Sequence, residues 1–101
     1  MTHFKLLRLA KTAKKDLQLI SNYTKREWGE AQKQKYLSVI QQSFRDLAVS
    51  DVSGKSRNDV AKGLYCYSIQ KHLIFYRETR NELMILRVIH QRMDVNQHLK
   101  Q

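Results

Sequence analysis

The sequence predicts an α+β domain: an N-terminal strand, then a helix hairpin packed on a mainly antiparallel β-sheet. Three observations predict it. Residues 12–28 and 30–47 each repeat apolar residues at helical spacing, and only Gly29 separates them. Residues 64–90 hold three runs rich in β-branched and aromatic residues, parted by the turn-forming segments Gln70-Lys71 and Thr79-Arg80-Asn81. The last two of these runs are apolar on both faces. They therefore need cover from elsewhere in the chain, and the helix hairpin is the element able to supply it.

The elements follow in order. Phe4 to Leu9 is a short strand candidate, with Phe4, Leu6 and Arg8 on one face and Lys5, Leu7 and Leu9 on the other. Thr12 suits an N-cap, because its hydroxyl can accept from a free backbone N–H of the first turn. Asp16 then complements the positive end of the helix dipole. Ala13, Leu17, Ile20, Thr24 and Trp28 form the apolar line, widened by Leu19 and Tyr23, and Gly29 stands where a left-handed cap ends the helix. In the second helix Leu37, Ile40, Phe44 and Leu47 make the stripe, broadened by Tyr36, Val39 and Ser43. Val49 to Gly63 is a loop of turn formers carrying Lys55, Arg57 and Lys62. Leu64 to Gln70 is a strand with Tyr65, Tyr67 and Ile69 on one face. In the next strand His72, Ile74, Tyr76 and Glu78 oppose Leu73, Phe75 and Arg77. In the last, strict alternation sets Leu83, Ile85, Arg87 and Ile89 against Met84, Leu86, Val88 and His90. The apolar run stops at His90-Gln91-Arg92-Met93-Asp94, and the residues beyond either add a helical turn or are mobile.

At 101 residues the chain makes one domain, spanning 1–101, with a single core. The lone cysteine, Cys66, permits neither an internal disulfide nor a cysteine-held zinc, and the four histidines have no metal spacing. No cofactor is implied. No run is long and apolar enough for a transmembrane helix or a signal peptide, which predicts a cytoplasmic protein with no membrane contact. The formal net charge is +10, and it is spread evenly: residues 1–51 and 52–101 each carry +5. Such a surface favours a polyanionic or acidic partner.

The order of elements resembles the ParE branch of the RelE/ParE superfamily of bacterial toxins. Four anchors carry the resemblance: Tyr23-Thr24-Lys25-Arg26-Glu27-Trp28-Gly29; Gly54-Lys55-Ser56-Arg57-Asn58-Asp59-Val60 with Gly63-Leu64; His72-Leu73-Ile74-Phe75-Tyr76-Arg77; and Ile85 to Asp94 with His98-Leu99. Where the family usually has Asn-Pro after the second helix, this chain has Ser50-Asp51. The resemblance implies the toxin half of a type II toxin–antitoxin pair, neutralised by an acidic ParD-like antitoxin that wraps it. The implied target is DNA gyrase, a type II topoisomerase, poisoned by binding and without chemistry of the toxin's own. Operator DNA is met only through the antitoxin.

The alternative within the superfamily is a RelE-type, ribosome-dependent and metal-independent mRNA endonuclease. Cleavage of that kind needs a base, an acid and cations for the phosphorane. Arg87, His90 and Arg92 at a strand end, with Lys55, Arg57 and Lys62 in the loop, are the candidates. RelE-like relatives typically place an arginine where this chain has Leu73, and a tyrosine or second histidine where it has Gln91. Leucine neither stabilises phosphorane charge nor moves a proton, which favours the non-enzymatic reading. Arg87, His90, Gln91, Arg92, Met93 and Asp94 are accordingly the expected target-facing residues; Tyr23, Tyr36 and Arg77 are the expected antitoxin contacts. On the residues alone His90 reads as a strand cap, hydrogen-bonded and inert; the resemblance is what gives it a role in target contact. Arg87, set in an apolar strand, pairs either with a partner's carboxylate or with Glu27, Glu78 or Glu82. Trp28 is expected to pack between the helices, Tyr65 and Tyr67 to face the core, and Cys66 to be a small packed residue. Lys14-Lys15 and Lys25-Arg26 read as solvated helix charge.

Overall fold

The computed structural model describes residues 4–93 and 95–99. Strand β1 (Leu6–Leu9) leads into α1 (Lys11–Trp28) and α2 (Glu30–Ala48). A two-residue strand, β2 (Lys55–Ser56), precedes the meander β3 (Tyr65–Ile69), β4 (His72–Glu78) and β5 (Glu82–His90), and α3 (Val95–Leu99) follows. The sheet order is β1-β5-β4-β3-β2, antiparallel except where β1 runs parallel to β5. The α+β prediction holds. The position of the first strand, which sequence left open, is at the edge beside β5. β2 lay unseen inside the predicted loop because two residues show no periodicity.

Each junction has a local cause. Gly29 takes φ +93, caps α1 through its N–H to Lys25 O, and lets α2 start at once. The end of α2 is closed by Ser50 at φ +62, whose N–H meets Leu47 O, while Asp51 N–H meets Asp46 O. Gln70 at φ +51 closes the β3–β4 turn. In the β4–β5 turn the Thr79 hydroxyl accepts from Glu82 N at 3.1 Å.

The sheet is covered on both faces. On one, Ala13, Ile20, Ile40, Phe44, Leu47 and Ala48 of the helix hairpin bury Ile74, Tyr76, Leu83, Ile85 and Val88, with Tyr65, Tyr67 and Ile69 packed alongside. On the other, Phe75, Ile89 and Leu64 form a smaller core under Val60, Ala61, Val95 and Leu99, and Cys66 packs there as expected. Burial pushes the Cys66 thiol up, away from a reactive thiolate.

Strict alternation along β5 is broken. Phe75 faces Arg87 and Tyr76 faces Ile85, so Leu86 is an extra residue on β5, a β-bulge. Val88 therefore joins Leu83 and Ile85 on the helix side, and Leu86 and Ile89 lie on the other.

Two helical expectations are also corrected. Helix α1 begins at Lys11 behind Ala10, not behind Thr12. The Thr12 hydroxyl instead donates to Leu86 O at 2.8 Å. Trp28 is 70% exposed and does not pack between the helices. The short Gly29 link leaves the last turn of α1 beyond the reach of the sheet.

Candidate partner groove and strand exit

β1 stops at Leu9, opposite Ile85, and leaves the rest of that β5 edge without a strand. α1 takes over the edge. Ala10 N–H donates to Ile85 O at 2.9 Å, Thr12 reaches Leu86 O, and the buried Asp16 accepts from Val88 N–H at 2.9 Å. Asp16 also receives Arg87, Nε at 2.8 Å and Nη2 at 3.0 Å, and the third guanidinium nitrogen donates to His98 O at 2.8 Å. The partner of Arg87 is thus Asp16, none of the glutamates considered from sequence. The pairing also pushes the Arg87 pKa further up. One side chain ties α1, β5 and α3 together, and it directs its charge inward.

After β5 the chain leaves by a hydrogen-bonded turn. Gln91 N–H meets Lys71 O and Met93 N–H meets His90 O, both at 2.9 Å. His90 Nδ1 accepts Arg92 N–H at 3.1 Å, which is the strand-capping geometry. Gln91, Arg92 and Met93 are exposed, and Asp94 lies outside the described residues.

The bend of the helix hairpin overhangs the starting end of β4 and the finishing end of β5. Between them lies a groove of about 1030 Å³, lined by Tyr23, Thr24, Trp28, Gln32, Tyr36, Gln70, Lys71, His72 and His90. Register places His72 opposite His90, their rings edge-to-face with centroids 5.4 Å apart. Tyr36 reaches down from α2 to His72 Nδ1, 2.5 Å away. Burial, aided by the neighbouring His90, lowers the His72 pKa to about 4, and burial raises that of Tyr36. At neutral pH the imidazole is uncharged, and its Nδ1 shares a hydrogen bond with the Tyr36 hydroxyl. The groove floor is therefore aromatic, with a neutral His72 in it. Its rim holds two exposed aromatics, Trp28 and the 55% exposed Tyr23, which carries Arg26 5.6 Å over its ring.

Three expected site residues, Tyr23, Tyr36 and His90, thus meet in one groove. Sequence reasoning did not assign His72 or Trp28 to it; the alternation that put His72 beside Ile74 and Tyr76 was the available signal. Arg77 is elsewhere. It stands five residues down β4 from His72, roughly 17 Å away, donates to Lys62 O, and borders a second hollow with Arg8, Glu82 and Met84. Leu73 packs against the smaller core.

A family model described as "ParE toxin of type II toxin-antitoxin system, parDE" matches residues 7–95. The chain belongs to the ParE toxin family. Toxin ParE of Escherichia coli is 30% identical over 88 residues, covering 86% of this chain and 85% of that protein. Toxin ParE1 of Mycobacterium tuberculosis (strain H37Rv) is 32% identical over 92 residues, covering 90% and 94%. Toxin ParE1 of Caulobacter vibrioides is 30% identical over 92 residues, covering 91% and 95%. Solved structures share the fold. A chain of the chromosomal ParDE system from P. aeruginosa superposes with a TM-score of 0.75 at 18% identity, over 88% of this chain and 98% of that one. One from the toxin–antitoxin complex RelBE2 of M. tuberculosis gives 0.63 at 21%, over 89% and 94%. The RelE/ParE fold assigned from sequence is the fold observed. Among the described residues no helix is long and apolar enough to cross a membrane.

Proposed function

We propose that this ParE-family toxin acts in the cytoplasm by binding and poisoning DNA gyrase, and that an acidic ParD-like antitoxin neutralises it. The groove under the hairpin bend carries the antitoxin reading. It is long, aromatic, rimmed by an indole that the fold leaves exposed, and set in a chain of net charge +10. An amphipathic helix with spaced apolar anchors and acidic flanks is the partner such a groove fits. Tyr23, Trp28 and Tyr36 are its contacts. Arg77, on the far part of the sheet, is reached only by an antitoxin that continues past the groove.

The target-facing end is the β5 exit. Gln91, Arg92 and Met93 present exposed side chains on a turn fixed by two backbone hydrogen bonds, and the His90 ring holds that turn through Arg92 N–H. Asp94 belongs to the same proposed surface. Arg87 is a positioning residue, fixing β5 to α1 and α3 through Asp16 and His98 O. A mechanism by binding alone is supported by two of the side chains that a nuclease would need: Leu73 is apolar and packed, and Arg87 is engaged with Asp16.

The test uses purified toxin free of antitoxin in two assays. One follows gyrase supercoiling of plasmid and scores cleaved DNA; the other follows translating ribosomes and scores cleaved mRNA. Supercoiling should fail, with broken DNA accumulating and mRNA intact, and Arg92→Ala/Met93→Ala should weaken the effect. Cleaved mRNA with normal gyrase would establish the RelE-type reading instead.

A further inference from the structure

Helix α1 has a second face that neither the groove nor the strand exit uses. Lys11, Lys14, Lys15, Gln18, Asn22 and Lys25 fall within about 100° of one another around the helix, opposite the buried Ala13, Asp16, Ile20 and Thr24. All six are exposed. The face holds no carboxylate: Asp16 is buried against Arg87, and Glu27 sits beside Arg26 at the end of the helix. Among the described residues no carboxylate lies within ion-pair distance of Lys11, Lys14 or Lys15, while Lys25 leans 3.6 Å toward Glu30. Gln18 and Asn22 hydrogen-bond each other at 3.0 Å across the middle. Leu19 borders the strip as an exposed apolar residue on one side, and Trp28 follows Lys25 at its end.

We propose that this face of α1 binds the phosphate backbone of duplex DNA, without regard to sequence. Its chemistry separates it from a protein-docking surface. Protein interfaces are anchored by apolar and aromatic residues and are poor in lysine, and the exposed Tyr23 and Trp28 line the groove instead. Phosphate contacts are made by lysines and by side-chain amides, which is the composition of this strip. From Lys11 to Lys25 it runs roughly 21 Å, a length over which duplex DNA carries roughly a dozen charges. The inference stands apart from the gyrase reading and adds to it: a toxin that acts where an enzyme holds DNA would grip the nucleic acid as well.

The experiment is fluorescence anisotropy of a labelled 20-base-pair duplex of mixed sequence with the purified full chain, titrated from 50 to 200 mM salt. Three phosphate contacts give a slope of log affinity against log salt near −2.7, hence a fall of about 40-fold across that range. Lys11→Gln/Lys14→Gln/Lys15→Gln should lower affinity at 50 mM salt at least 30-fold and flatten the slope. The charge-matched control Lys35→Gln/Lys55→Gln/Lys62→Gln, also at exposed sites, should change it less than threefold. Thermal unfolding checks both folds. Equal losses from both triples would overturn the proposal, since net charge alone would then explain the binding. So would absence of wild-type binding at 50 mM salt, or a strip triple that weakens an acidic antitoxin peptide while leaving DNA affinity intact. Wild-type toxin that inhibits supercoiling but binds no DNA sinks this inference alone; toxin that binds DNA but leaves supercoiling intact sinks only the gyrase reading.

Discussion

Asp16 of α1 and Arg87 of β5 form a two-pronged ion pair in which the same carboxylate also accepts the Val88 N–H. The relationship exists because β1 is short. A longer first strand would have hydrogen-bonded β5 past Ile85; instead a helix lies against that edge and must satisfy it with side chains, which only a short acceptor at the right turn achieves. The bulge at Leu86 falls in the same stretch and re-aims the residues after it.

Removing either partner should therefore cost more than a surface pair would. Asp16→Ala leaves a half-buried guanidinium and a bare Val88 N–H; Arg87→Ala leaves a buried carboxylate. Each should lose about 3–5 kcal/mol, with the double variant losing clearly less than the sum. Guanidinium denaturation of the three proteins reads this out. Additive losses would show that the two side chains are energetically independent.

His72 makes stability depend on pH. Its folded pKa of about 4 lies below the ordinary histidine value near 6.5, so the unfolded chain binds the extra proton first. The contribution is complete above pH 6.5 and is lost as pH falls from 6.5 toward 4. Because the ring is partly open to solvent, the loss is discounted to about 1–2 kcal/mol. Thermal melts of wild type and His72→Gln across this window should converge as the pH drops. A constant gap would remove His72 as the cause.

Gly54 should tolerate no side chain. A Cβ there would lie 2.6 Å from Cys66 O and 2.8 Å from Tyr76 Oη, and the first of these is backbone that cannot step aside. Gly54→Ala should cost about 2–3 kcal/mol, in the range of overpacked sites. Tyr76→Phe, which deletes only the acceptor of the 2.7 Å bond from Gly54 N–H, should cost about 1–1.5 kcal/mol. Equal costs would mean that the hydrogen bond, and not the close approach, fixes the loop.

The residues that could be read from sequence are those whose partners lie at regular spacing. The helix stripes, the meander and its turns follow from local pattern, and they carry Tyr36 and His90 toward one end of the sheet. Asp16 and Thr12 were misread because a helix-start signal and an edge-capping role call for the same short polar side chains; only the length of β1 distinguishes them. The bulge at Leu86 has no signal in an unbroken apolar run. Trp28 continued the stripe in sequence, but a stripe says nothing of where the opposing sheet ends.

Trp28 and Tyr23 also separate stability from recognition. Both side chains are more than half exposed, so Trp28→Ser and Tyr23→Ser should shift folding stability by about 0.5 kcal/mol or less. As aromatic anchors for an antitoxin helix they should each weaken its binding by about 1–3 kcal/mol, roughly 5- to 150-fold. Tyr36→Phe differs in kind: it keeps the ring in the groove but strips His72 Nδ1 of its hydrogen-bond partner, so it should lower stability by about 1 kcal/mol while weakening the antitoxin less than Trp28→Ser does. Calorimetric titration of each variant with an antitoxin C-terminal peptide, beside its thermal melt, gives both numbers. If Trp28→Ser binds like wild type, the groove is not where the antitoxin helix lies.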